Sequence, residues 1–367
     1  MNQNKPLTVL HITEPFGGGT ISVINHLVNN LSQHQHIIFH GEQRPDGSVE
    51  DVKKRFPEST KFYIWKYAQR EISLFNDIIA LVLLLKFIRK TPHDVLHLHA
   101  SKAGFLGRIV AWILGEKKVI YTSHGAAFIM QDISEFKRKM YIFLESFATK
   151  LGGISVCCSD SELHEFQKYR IPAICIYNGT NIKNNFELKN KLEITNSLNI
   201  ITTGRITIPK NPMLFNKIAE HFINNNNVKF IWVGDGELRE YLTSENIEIT
   251  GWKSKKEVDS LLGTANLYLS TSLWEGLPLS VLEAMNLGLP LLLSNCMGNK
   301  DLVIDGQNGF SFNDSEQAID KIKFFIQNKT SLYDMGLMSR QTCERKFDII
   351  KICSAYNELY YQKILNE

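Results

Sequence analysis

The tightest constraint in this chain is a strand that stops and a helix that starts within two dozen residues, Leu267 to Pro290. Leu267–Thr271 is a short apolar run with the length of a buried strand. After Pro278 the apolar positions Leu279, Leu282 and Met285 fall at helical spacing. Glu275 and Gly276 therefore occupy a strand-to-helix loop. Pro278 suits a first helical turn, where its missing N–H costs nothing. The N–H groups of such a turn have no partners inside the helix, and with the helix dipole they favour an anion, most naturally a phosphate. Glu283 lies one to two turns further in. A carboxylate is a poor phosphate ligand but a good acceptor for sugar hydroxyls. Two carboxylates bracketing a phosphate site describe a nucleotide-sugar pocket.

The full pattern, Glu275-Gly276-x-Pro278 followed by Glu283-Ala284 and Gly288-x-Pro290, resembles the signature of the family-4 retaining glycosyltransferases, glycosyltransferase group 1. Glu-x7-Glu alone is a weak pattern, and the Gly, Pro, Ala and Gly-Pro positions make it specific. The resemblance implies an α/β protein of the glycosyltransferase B (GT-B) fold. That is two Rossmann-like domains with parallel sheets facing a central cleft and a C-terminal helix crossing back to the first domain. It covers nearly the whole chain and is strongest over Gly204–Pro290. Members that build bacterial surface polysaccharides are the ones it resembles over Asp94–Gly125.

A chain of 367 residues accommodates two such domains, each with a full core. Expected bounds are 1–182 plus a helix at 350–367 for the acceptor-binding domain, 183–199 for a polar linker, and 200–349 for the nucleotide-sugar-binding domain. Net charge is +3, too weak to argue for nucleic acid, and no basic stripe with interleaved aromatics appears. The charge is uneven, +6 over residues 1–190 and −3 over 191–367. A basic first half suits an anionic membrane surface or a phosphate-bearing acceptor, and ordinary scatter of surface charge gives the same balance. The six cysteines show no C-x-x-C spacing and read as reduced core residues of a cytosolic protein. Leu7–Ile12 reads as a strand rather than a leader segment, and Ile78–Leu85 is too short to span a bilayer.

Along the first half, Gly17, Gly18 and Gly19 follow the Leu7–Ile12 strand, and Thr20 is placed to cap a helix carrying Ile21, Ile24, Leu27, Val28 and Leu31. The loop is either a phosphate-type turn without dinucleotide spacing or a plain turn. The resemblance sets it beside the acceptor and the transferred sugar. Ile72–Ile88 predicts a largely apolar helix, expected to be buried, with membrane contact through Lys86, Arg89 and Lys90 as the alternative. Asp94–Gly104 and Lys118–Gly125 each read as a strand ending in histidine, which puts His97, His99 and His124 at carboxyl ends, where open α/β sheets bind ligands. By resemblance His124 contacts a donor-sugar hydroxyl or steadies the reacting centre, and His99 is grouped with the Gly17–Gly19 loop on the sugar and acceptor. Lys137–Lys139 is either a solvated charged helix face, the favoured reading, or a loop meeting a lipid-linked acceptor. Leu151–Ser159 predicts a strand, with Asp160 or Ser161 capping the next helix.

In the second half, Gly204-Arg205 and Lys210-Asn211 resemble the family's G-R-x4-K-N motif. Two cations after a strand suit a diphosphate leaving group, since Arg makes a planar two-pronged contact and Lys supplies a point charge. Gly234 lies in a segment that resembles the family's x-x-G-x-G pattern, which implies glycines that let the backbone approach the nucleotide. Gly251 and Trp252 flank the base by resemblance, most commonly uracil. The chain contains no Asp-x-Asp, the metal-holding pair of A-type glycosyltransferases. The expectation is thus transfer without a metal or other cofactor, and no metal site is predicted.

The resemblance implies a retaining transferase moving a sugar from a nucleotide-sugar, expected to be a UDP-sugar, to a saccharide on undecaprenyl diphosphate in O-antigen or capsule synthesis. It implies a cytoplasmic site, peripheral on the inner face of the membrane. Glu275 is expected on the sugar hydroxyls and Glu283 on the ribose. Gly276, Leu277, Pro278, Leu279 and Ser280 form the loop that, with Arg205 and Lys210, holds the diphosphate. Retention is expected by front-face attack, the leaving phosphate helping to deprotonate the acceptor hydroxyl. Two alternatives stand beside this reading, a non-catalytic nucleotide-sugar-binding scaffold and a nucleotide-sugar 2-epimerase on the same fold.

Overall fold

The computed structural model describes residues 5–43, 49–69, 72–183 and 197–362. Most of the expected linker, 183–199, lies outside them. Contacts divide the chain into two units, Met1–Asn178 with Ile349–Glu367, and Gly179–Asp348.

The first unit is a seven-stranded parallel sheet in the order β3-β2-β1-β4-β5-β6-β7. Its strands are β1 (Thr8–Pro15), β2 (Gln35–Gln43), β3 (Lys61–Ile64), β4 (Val95–His99), β5 (Val119–Thr122), β6 (Ile154–Cys157) and β7 (Ile174–Cys175). Helices α1 (Gly18–Asn30), α2 (Val49–Lys53), α3 (Leu74–Lys90), α4 (Ser101–Leu114), α5 (Glu135–Lys150) and α6 (Asp160–Lys168) connect them. Strand order reverses between β1 and β4, the switch point at which parallel sheets open a ligand crevice beyond their carboxyl ends. Leu10, Ile12, Leu96, Leu98, Val110 and Tyr121 are among the core residues under α3 and α4. Each side chain of this size contributes roughly 1.5–3 kcal/mol by burial.

The second unit repeats the plan with six parallel strands in the order β10-β9-β8-β11-β12-β13. These are β8 (Leu198–Thr203), β9 (Val228–Val233), β10 (Ile247–Gly251), β11 (Leu267–Ser270), β12 (Leu291–Ser294) and β13 (Gly309–Phe312). The helices are α7 (Pro212–Glu220), α8 (Lys255–Thr264), α9 (Leu279–Asn286), α10 (Ser315–Gln327) and α11 (Lys329–Lys346). The switch point falls between β8 and β11. A last helix, α12 (Ile349–Tyr361), packs in the first unit, where its Tyr360 hydroxyl meets His97 Nδ1 at 2.8 Å.

Several sequence expectations shift. Helix α1 starts at Gly18 with Gly17 as its cap, so Thr20 lies inside the first turn rather than capping it. Gly18 is the loop glycine whose backbone requires glycine, at φ +66, and a side chain there would meet nothing within 4 Å. The cap of α6 is Ser159, whose Oγ accepts from Glu162 N–H, not Asp160 or Ser161. Pro278 is the extended cap of α9 instead of a residue of its first turn. Helix α3 is not buried: only Ala80, Leu84 and Ile88 are covered, while Leu74, Phe75 and Ile78 are 80%, 75% and 62% exposed. One stripe at i, i+4, i+8 suffices to seat a helix on a sheet, and an apolar opposite face is then left outside. Of the two readings of Lys137–Lys139, the charged helix face holds, since they lie on helix α5 with Lys137 and Lys139 exposed.

All six cysteines are free thiols, and five of them are buried. Burial pushes Cys296 and Cys343 up to about 12 and Cys158 well above the usual thiol range. Among the described residues no helix is long and apolar enough to cross a membrane.

Candidate functional site

In the second unit the chemistry-bearing residues converge at the carboxyl ends of β8 and β11. Gly204 and Arg205 follow β8, and a single turn of tight helix, Ile208–Lys210, brings Lys210 back over it. Lys210 Nζ donates to Glu275 Oε1 at 2.7 Å, and Ser272 Oγ donates to the same oxygen at 2.7 Å. Burial disfavours the Lys210 charge, but the Glu275 carboxylate outweighs it and holds the ammonium above its ordinary range. Two further bonds lock the segments together, Leu273 N–H to Pro209 O at 2.8 Å and Thr271 Oγ1 to Lys210 O at 2.9 Å. The result is a rigid cation–carboxylate pair at a switch point.

Glycine at 234 is required by contact. At φ +143, an added Cβ would stand 2.2 Å from Gly204 O. The Trp232 indole N–H donates to that same oxygen at 2.9 Å. Gly234 also bridges to Gly251, which ends β10, so these glycines border one backbone surface, with Trp252 58% exposed beside it.

Gly276, Leu277 and Pro278 lead from Glu275 into α9, with Leu277 buried as packing. Leu279 and Ser280 open the helix. Ser280 Oγ is buried without a hydrogen-bond partner. An orphaned hydroxyl beside the open N–H groups of a helix start is suited to a phosphate oxygen. Glu283 faces α8, where Lys255 Nζ reaches its Oε1 at 2.6 Å and Asp259 at 3.1 Å. Sequence reasoning missed Lys255, which carries no motif of its own.

The first unit holds a different site. A cavity of about 520 Å³ opens beyond β1, β4 and β5. Glu14, Thr20, Lys102 and His124 supply its polar wall, and Leu74, Phe105, Phe128, Met130 and Leu144 are among its apolar lining. Lys102 is ion-paired to Asp77 at 2.7 Å. Glu14 accepts from Ala103 N–H at 3.1 Å, and burial pushes its carboxyl up. His124 and Ala100 both sit at positive φ, +54 and +67, at the ends of the neighbouring segments that form this rim. Such backbone costs on the order of 1 kcal/mol or more per residue and persists only where surroundings enforce it.

Glu162 enforces it at His124. Its buried Oε1 accepts from Ser123 Oγ at 2.7 Å, Ala126 N–H at 2.9 Å and Gly125 N–H at 3.0 Å, while Oε2 accepts from Cys158 N–H at 2.8 Å. The Ser159-x-x-Glu162 spacing announces a helix start. Nothing local announces that the Glu clamps a loop across the sheet.

The structure also brings together histidines that sequence reasoning left apart. His99 Nδ1 lies 3.0 Å from His124 Nε2, a pairing the sequence did not show. His11 and His36, unremarked within apolar strands, join the same network. His11, His97 and His99 offer ligand atoms within 4.8 Å of one another, a grouping that could hold a metal ion and that no sequence spacing showed. Both His97 nitrogens, however, already face hydroxyls, Tyr360 at 2.8 Å and Thr122 at 2.9 Å.

Residues 17–184 match the model of Glycosyltransferase Family 4, and residues 184–342 that of Glycosyl transferases group 1. The chain is 32% identical over 332 residues to the UDP-Gal:alpha-D-GlcNAc-diphosphoundecaprenol alpha-1,3-galactosyltransferase of Escherichia coli, covering 81% of this chain and 83% of that one. It is 23% identical to the capsular polysaccharide biosynthesis glycosyltransferase CapM of Staphylococcus aureus, over 80% of this chain and 83% of that one. Among solved structures, Anabaena HepE in complex with UDP and glucose superposes with a TM-score of 0.76 at 16% identity, covering 96% of this chain and 98% of that one. With two parallel-sheet units, the matching domain models and a relative at this identity over four-fifths of its length, the chain belongs to the group 1 and family 4 glycosyltransferases and has the GT-B fold.

Proposed function

We propose that this enzyme transfers a hexose, with retention of configuration, from a UDP-sugar to a saccharide carried on undecaprenyl diphosphate, in O-antigen or capsule synthesis. The observation that carries the reading is the convergence of Arg205, Lys210, Glu275 and the open start of α9 at one switch point. There a diphosphate would meet cations, helix N–H groups and the Ser280 hydroxyl, with Glu275 held to receive sugar hydroxyls. Charge growing on the leaving phosphate would be neutralised by preorganised groups, commonly the largest single catalytic contribution. Because these groups are supplied by the chain, the reading is metal-independent. Glu275 is engaged by Lys210 and Ser272, which fits a positioning carboxylate better than a nucleophile and favours front-face attack. The similarity to an enzyme whose name specifies a UDP-galactose donor and a diphosphoundecaprenol acceptor supports the substrate class.

The first unit would receive the acceptor in its apolar-lined cavity. Exposed Leu74, Phe75 and Ile78 on α3, with Phe136 and Phe143 on α5, are 62–80% exposed beside Lys137 and Lys139 and would rest on the anionic inner face of the cytoplasmic membrane. The test is transfer from a panel of UDP-sugars to a GlcNAc-diphosphate-lipid, with and without EDTA, and NMR of the product anomer. Expected is one retained linkage, unaffected by EDTA. An inverted product, or activity lost to EDTA and restored by Mg²⁺ or Mn²⁺, overturns the corresponding part.

A further inference from the structure

Four imidazoles cross the first sheet in single file, one from each of four neighbouring segments: His36 on β2, His11 on β1, His99 on β4 and His124 just after β5. The file has a fixed direction. His36 Nε2 lies 3.0 Å from Leu31 O. A carbonyl can only accept, so His36 carries its proton on Nε2, and Nδ1 of the neutral ring is bare. His11 Nε2, 3.1 Å from that Nδ1, must be the donor. His11 Nδ1 is then bare and accepts from His99 Nε2 at 3.0 Å. His99 Nδ1 is bare in turn and accepts from His124 Nε2 at 3.0 Å. One nitrogen remains, His124 Nδ1, which has no hydrogen-bond partner among the described residues and belongs to a residue that lines the cavity.

Neutral rings are what this environment demands. His11 and His99 are completely buried, His36 is nearly so, and among the described residues no carboxylate is bonded to the file. Burial brings His36 down to about 4 and His124 to about 3, and sets His11 and His99 well below the ordinary imidazole range.

We infer that this histidine file holds His124 in its Nε2–H form, so that Nδ1 presents a lone pair to the cavity and accepts a hydrogen bond from a hydroxyl of the acceptor sugar. His36, His11 and His99 are positioning residues, since they touch no substrate and act by setting the tautomer and ring angle of His124. The assignment of the hydroxyl to the acceptor, where the resemblance implied the donor sugar or the reacting centre, rests on the function proposed above, whereas the tautomer does not. A metal on His11, His97 and His99 is the rival arrangement, because it would take the place of the proton shared by His11 and His99.

The test is long-range ¹H–¹⁵N NMR of the full chain labelled at histidine, with resonances assigned by single substitution. The expected pattern is a protonated Nε2 and a bare Nδ1 for His36, His11, His99 and His124. A protonated Nδ1 on His124, or one stoichiometric zinc in the purified protein by elemental analysis, overturns the inference. Kinetics add a second arm. His99→Asn sets an amide oxygen near the position of Nδ1 and keeps an acceptor for His124, and His99→Leu removes it. Expected is a roughly tenfold to hundredfold loss of kcat/KM for acceptor in His99→Leu, with the KM for UDP-sugar unchanged and most of the loss recovered in His99→Asn. Equal loss in two folded variants overturns the positioning role. Should the wild-type chain transfer no sugar at all, the functional reading fails, while the NMR pattern still decides the file.

Discussion

The crossover between β8 and β11 gathers Arg205, Lys210 and Glu275 around glycine backbone, whereas the equivalent crossover between β1 and β4 gathers neutral imidazoles and an apolar cavity. Ten of the eleven histidines lie in the first unit, and His221 alone lies in the second. The backbone plan is the same in both. What differs is the chemistry beyond the strand ends: a cation–carboxylate pair beside glycine backbone in the second unit, and in the first a file of imidazoles next to an apolar-lined cavity whose polar wall includes Glu14 and Lys102. A parallel sheet supplies the crevice either way, and a few residues beyond each strand decide its chemistry.

The comparison breaks most visibly at Lys210. Lys210→Ala should lower kcat by roughly 100- to 1,000-fold with a melting temperature shifted by only a few degrees; wild-type turnover would show that the second unit's charges do not serve the reaction. In the first unit the largest effect should be structural. Glu162→Ala strands two backbone N–H groups of the His124 loop and that of Cys158, so urea unfolding should show a loss of about 3 kcal/mol; a loss under about 1 kcal/mol would mean the loop holds itself.

Acid should then separate the units. Folded His36 and its neighbours resist protonation, but the unfolded chain takes up protons below about pH 6.5. The folded state therefore loses stability as pH falls from about 6.5 toward 4, by roughly 2 kcal/mol at pH 5 for His36 alone. His93 works in the opposite sense: burial disfavours its charge, yet the Glu116 carboxylate raises its pKa. Hydrogen exchange should show β1 and β4 losing protection before β8 and β11; uniform loss across both sheets would erase the distinction. The smallest effect is expected for Glu283→Ala, a tenfold weaker affinity for UDP with little change for inorganic diphosphate. Unchanged UDP affinity would leave Glu283 as a mere partner of Lys255.

The parallel α/β architecture was legible because buried strands read as apolar runs and each helix start carries local chemistry. The segment from Glu275 to Glu283 was legible for the same reason, as its residues are neighbours in sequence. The histidine file was not. Its members come from residues 11, 36, 99 and 124, and only the register of four strands brings them together. Lys255 and Glu162 escaped in the same way, each acting on an element distant in sequence. The exposed face of α3 was misjudged because composition alone does not say which side of an apolar helix meets the sheet.

The cysteines have a practical consequence. Alkylating reagents consume thiolate, burial holds the Cys157, Cys158, Cys296 and Cys343 thiols protonated well above neutral pH, and Cys353 is buried from the reagent. At pH 8 these buried thiols should thus be nearly silent to such reagents until a region opens, with the half-buried Cys175 as a constant background. Cys157, Cys158 and Cys353 sit in one unit, Cys296 and Cys343 in the other. The molecule carries, without engineering, a separate chemical clock for the breathing of each half.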